Sequence, residues 1–84
     1  MAAGVKVLLF GPLQDLAGWR ERAVDPAPDT LSALKALLAR LDARLGEALD
    51  GPGVRAAIDK SVVLDDAALR PGAEVAFLPP MSGG

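Results

Sequence analysis

The sequence predicts an α+β domain in which a sheet of four to five strands packs on one main helix, in the order ββαββ. Three observations predict it. Short runs of β-branched and apolar residues, bounded by Gly, Pro or Asp, stand towards both ends of the chain. Between them, one stretch repeats leucine at helical spacing. The 84 residues, 51% hydrophobic and 24% charged, suit one small globular core.

Val5-Lys6-Val7-Leu8-Leu9-Phe10, ended by Gly11-Pro12, reads as the first strand. Val5, Val7 and Leu9 point to one face and Lys6, Leu8 and Phe10 to the other. Both faces carry apolar groups, which marks a central strand. Pro12 opens a short helical turn, Leu13 to Ala17, that Gly18 stops. Arg20 to Val24 is a weaker second strand, forming a hairpin with the first across a wide loop and ended by Asp25-Pro26-Ala27-Pro28.

Asp29 or Thr30 supplies the cap for the helix that follows. Its apolar stripe is Leu31, Leu34, Leu37, Leu38, Leu41 and Leu45, with Lys35, Arg40, Asp42 and Arg44 largely off it. Such a stripe is a core face. Gly46 weakens the helix end, and Leu49 adds a last turn before the loop Asp50-Gly51-Pro52-Gly53.

Val54 to Asp59 reads as the third strand and Ser61 to Leu64 as a short fourth. Asp65-Asp66 is the sole adjacent acidic pair. A metal or acid–base role is weaker than the plain reading, in which Asp66 caps the turn at Ala67-Ala68-Leu69. Arg70-Pro71-Gly72 is placed as a type II turn requires. Ala73 to Leu78 is the last strand, with Val75 and Phe77 on one face and Ala76 and Leu78 on the other. One helix covers one face of a sheet, so the stripe lies over Val5, Val7, Leu9, Val75 and Phe77. Leu8, Phe10, Ala76 and Leu78 then form an apolar face with no cover from this chain, expected to meet a partner.

The chain has no Cys and no His. Disulfides, thiol nucleophiles, Cys/His zinc sites and histidine acid–base chemistry are thereby excluded. The net charge is −2 with scattered basic residues, which gives no footprint for nucleic acid or an anionic membrane. No apolar run approaches the ~18 residues of a membrane span. The N-terminus lacks a secretion signal, so a cytoplasmic protein is expected. No Gly-x-Gly-x-x-Gly or Walker-type loop is present for a nucleotide. Any reaction here uses the C-terminal carboxyl or belongs to a partner.

Residues 1–78 therefore read as the domain and residues 79–84 as an extended tail. Pro79-Pro80 cannot join a central ladder and favours the polyproline conformation. Met81 and Ser82 follow, and Gly83-Gly84 is slender enough for a channel that excludes any Cβ. The tail reaches at most ~20 Å when extended. The plain alternative is an ordinary flexible Gly/Ser ending.

The strand and helix order, the closing run from Pro71 to Pro80 and the terminal Ser82-Gly83-Gly84 resemble the ubiquitin-like sulfur carriers, most nearly the small subunits of molybdopterin synthase. The similarity covers nearly the whole chain, including Ala56-Ala57-Ile58-Asp59 and Asp65-Asp66 with Leu69. Ala73 stands where the family usually has Asp, and Asp59 where Asn is common. The resemblance implies a β-grasp fold with a mixed sheet. It also implies that Gly84 is adenylated by an E1-like adenylyltransferase using ATP, then converted to a thiocarboxylate by a persulfide sulfur donor. The large synthase subunit would receive the tail, with Gly83 giving channel clearance, Met81 and Ser82 lining it and Pro79-Pro80 as a stiff base. Phe10 and Leu78 would anchor the docking face, beside Leu8 and Ala76. The chain would bind no cofactor or metal and would not be catalytic alone. Other roles consistent with such a tail are thiazole or tRNA thiolation, conjugation to lysines, and a β-grasp adaptor with an inert tail.

Overall fold

In the computed structural model, residues 4–80 are described. The elements in chain order are β1 (Val5–Leu9), α1 (Pro12–Ala17), β2 (Glu21–Val24), α2 (Leu31–Leu41), α3 (Ala43–Leu49), β3 (Arg55–Ile58), β4 (Ser61–Val63) and β5 (Glu74–Leu78). They form one sheet in the order β2-β1-β5-β3-β4. Only β1 and β5 run parallel; the other neighbours are antiparallel. The fold is thus a mixed β-grasp sheet of five strands, and β4 is the member beyond the ββαββ order.

Val5, Val7, Leu9, Val75 and Phe77 are buried against Leu31, Leu34, Leu38, Leu45 and Leu49. The expected helix-covered face is therefore the core. Each large apolar side chain removed from water contributes roughly 1.5–3 kcal/mol. These central strands are sealed from both sides in the ladder, since β1 and β5 each have two strand neighbours.

The expected single helix is two helices. Thr30, not Asp29, caps α2, its hydroxyl accepting from the Ala33 N–H at 3.1 Å. Asp42 then breaks the run. Its own N–H closes α2 on the Leu38 carbonyl at 2.9 Å, while its carboxylate accepts from the N–H groups of Arg44 and Leu45 at 3.1 and 3.3 Å. One residue ends one helix and caps the next. Leu41 lies on the flank of the stripe at the end of α2 and is exposed rather than buried. Gly46 is buried where α3 crosses α2, and a methyl there would overlap Ala39.

The β3–β4 hairpin closes on Asp59-Lys60, both at positive φ, as a two-residue type I′ turn demands. The Asp59 carboxylate accepts from the Glu74 N–H at 2.9 Å, and the Asp59 N–H donates to the Glu74 carbonyl at 2.8 Å. An aspartate serves this position because one acceptor oxygen is all the contact uses. The turn at Arg70-Pro71-Gly72 is closed by the Ala73 N–H on the Arg70 carbonyl at 3.0 Å.

Candidate functional site

The topology decides where the tail leaves. Because β1 runs parallel to β5, the end of β1 and Gly11 lie beside the end of β5. Because β3 runs antiparallel to β5, the start of β3 and the preceding Gly53 lie on its other side. Pro79-Pro80 therefore emerges between two loops belonging to the neighbouring strands. Gly11 has φ 56° and Gly53 φ 83°, both in the region that favours glycine. A Cβ on Gly11 would stand 3.3 Å from Pro79 Cγ, and one on Gly53 would stand 2.8 Å from Pro80 Cβ. Pro79 and Pro80 also form one wall of an apolar groove of about 620 Å³, completed by Pro12 and Leu13 of α1, Ala48 of α3 and Pro52.

Leu8, Ala76 and Leu78 are half-buried and Phe10 is 38% exposed. Leu8 pairs with Ala76, Ala76 with Ala57, and Ala57 with Val62. Side chains directly opposite share a face, so Leu8, Ala76, Ala57 and Val62 make an apolar band across four strands. Val62, on the edge strand β4, is 52% exposed. Lys6 paired with Glu74 bounds the band on one side, and Arg55, paired with Leu78, stands on the other. Ala57 and Val62 were not legible as members of this face, because strand alternation gives two faces and only the pairing register says which matches Ala76.

Little side-chain chemistry accompanies this surface. Among the described residues no polar or charged side chain is buried. No group of three or more His, Cys, Asp or Glu is clustered there, and no helix there is long and apolar enough to cross a membrane. Asp66 has a structural task. Its Oδ1 accepts from the Ser32 N–H at 2.8 Å and from the Ala67 N–H at 2.9 Å. The turn reading of Asp66 is thus right but incomplete, since it also caps α2 from a distant loop. The Ser32 N–H, followed by the Ser32 hydroxyl, holds its carboxyl below the ordinary carboxylate value. Leu31 N–H to Ala67 carbonyl and Leu69 N–H to Asp29 carbonyl, both 2.8 Å, complete the suture.

Pro79 and Pro80 lie at the base of the tail; Met81, Ser82, Gly83 and Gly84 lie outside the described residues.

Comparison with known proteins bears on that tail. The model of the ThiS family matches residues 7–84. The molybdopterin synthase sulfur carrier subunit of Escherichia coli (strain K12) is 35% identical over 80 residues, covering 95% of this chain and 99% of that one. The crystal structure of the modifier protein SAMP1 from Haloferax volcanii superposes with a TM-score of 0.82 at 25% identity, covering 96% of this chain and 99% of that one. A Pyrococcus furiosus protein named as molybdopterin converting factor, subunit 1, gives 0.79 at 25% identity, covering 95% and 100%.

Proposed function

This chain belongs to the ThiS family, and on that premise we propose that it is the sulfur-carrying small subunit of a molybdopterin synthase. The observation that carries the reading is the tail's launch point. Pro79-Pro80 leaves the end of a central strand, held between two glycine loops and beside an apolar band. The relative from Escherichia coli, matched over nearly its full length, supports the choice of pathway.

The chemistry follows from a carboxylate that is a poor electrophile at neutral pH, being ionised above about 3.5. An E1-like adenylyltransferase joins the Gly84 carboxylate to the α-phosphate of ATP and releases pyrophosphate. A persulfide then displaces AMP, and a thiol cleaves the resulting acyl disulfide to leave a thiocarboxylate. The large synthase subunit takes up the tail, and the sulfur attacks the cyclic pterin precursor. Water frees the Gly84 carboxylate for another round, and two rounds complete a dithiolene. A thiocarboxylate is nucleophilic at neutral pH without an activating His or Cys, which suits a chain with neither. Met81 and Ser82 line the inserted tail, Gly83 gives it channel clearance, and Pro79-Pro80 is its stiff base. Phe10, Leu8, Ala76 and Leu78, with Ala57 and Val62, form the docking face. Acid–base groups belong to the partner.

Mass spectrometry of the protein recovered from its own cells tests this reading. Exchange of one oxygen for sulfur at Gly84, with co-purification of a pterin-binding subunit, is expected. A tail that stays a plain carboxylate under active cofactor synthesis overturns it. The likeness to SAMP1 favours a second reading, conjugation to lysines; an isopeptide from Gly84 to another protein is its signature.

A further inference from the structure

We propose that Gly11 and Gly53 are positioning residues that set the direction in which the tail leaves the domain. The inference rests on the sulfur-carrier reading for its functional consequence and on geometry alone for its structural one.

The tail begins with two prolines. Their rings fix φ near −65°, so the course of the chain beyond them depends on how the rings are seated. The seat has two sides. Gly11, between β1 and α1, presents a bare Cα to Pro79, and Gly53, between α3 and β3, presents one to Pro80. A methyl on Gly53 would meet Pro80 Cβ at 2.8 Å, where ordinary contact begins at 3.4 Å. Pro80 would have to yield by about 0.6 Å, because repulsion rises steeply inside contact distance. Were the four residues beyond Pro80 drawn out from that base, the turn would displace the end of the tail by roughly 2 Å. A misplacement of this size at a reacting group costs about a hundredfold in rate. At Gly11 the approach is 3.3 Å, so the push is smaller.

Backbone strain alone does not account for the effect, and the molecule supplies its own control. Gly18 has φ 82°, against 83° at Gly53, yet a Cβ on Gly18 would meet nothing within 4 Å. Gly18→Ala and Gly53→Ala therefore each place a Cβ at nearly the same positive φ, and only the second touches the tail base.

The experiment uses the full chain, which has no native cysteine. A nitroxide is attached through Gly84→Cys, and its paramagnetic broadening of the core amides is mapped. Gly53→Ala is expected to move the pattern of broadened amides, while Gly18→Ala leaves it in place. In unlabelled protein, Gly53→Ala is expected to lower kcat for adenylation by the E1-like partner roughly tenfold or more, with Gly18→Ala near wild type. A Gly53→Ala broadening map that superimposes on the wild-type map overturns the inference, whatever the kinetics. Failure of the wild-type chain to be adenylated refutes the carrier reading instead, and the broadening maps still decide how the tail is aimed.

Discussion

Asp66 and Ser32 are joined at 2.8 Å across 34 residues of sequence, the carboxylate accepting one of the first free N–H groups of α2. Thr30 caps the same helix from within. The loop before β5 is thereby tied to the start of the main helix, and the two share stability. The carboxyl is held low by the Ser32 N–H and hydroxyl. A depressed carboxyl contributes stability above its unfolded value, near ~4, and the contribution disappears as pH falls through the lower folded value. Asp66→Ala is therefore expected to melt below wild type at pH 7, with the gap closing under about pH 4. Thermal melts across pH 2–8 would show a constant gap if the carboxylate charge were irrelevant.

The crossing of α2 and α3 gives a second prediction. Alanine is the better helix former by about 1 kcal/mol, so propensity argues for Gly46→Ala. Packing argues against it, because the new methyl overlaps Ala39. Overpacking costs typically ~1–3 kcal/mol, and packing wins: Gly46→Ala is expected to destabilise. Ala39→Gly in the same chain should restore part of the loss. Urea titration of the singles and the double measures the coupling; purely additive singles would show that the two sites do not meet.

The outer band separates folding from docking. Phe10 and Val62 are 38% and 52% exposed. Phe10→Glu and Val62→Asp are expected to shift stability by no more than about 0.5–1 kcal/mol. Each should weaken capture of the large synthase subunit by about tenfold or more, as loss of a buried interface anchor does. Calorimetric titration with that subunit would return wild-type affinity if the band faced solvent in the complex.

The tail prediction is simpler. Adding one alanine after Gly84 should abolish sulfur transfer with the melting temperature unchanged, because the reacting carboxyl is moved and gains a Cβ. Undiminished pterin product from that variant defeats the carrier assignment.

Much of this was legible in the residues. The two-faced runs at Val5 and Val75 marked central strands, and the leucine spacing marked the core helix. The break at Asp42 was hidden because leucines at 31, 34, 38, 41 and 45 keep helical spacing straight through it. An aspartate there reads as one more polar position until its carboxylate is seen to accept from Arg44 and Leu45. The membership of Ala57 and Val62 in the outer band, and the seating of the prolines by Gly11 and Gly53, depend on which strands pair and in what register. Those are contacts between distant segments, which no local spacing encodes.

The parallel pairing of β1 with β5 carries a consequence for how the protein is made. The middle of the sheet joins the domain's first strand to its last, and such long-range closure is slow and all-or-none. A chain that ends before Glu74 lacks a central strand and leaves Val7 and Leu9 without their β5 neighbours, so the sheet cannot close until synthesis is almost complete.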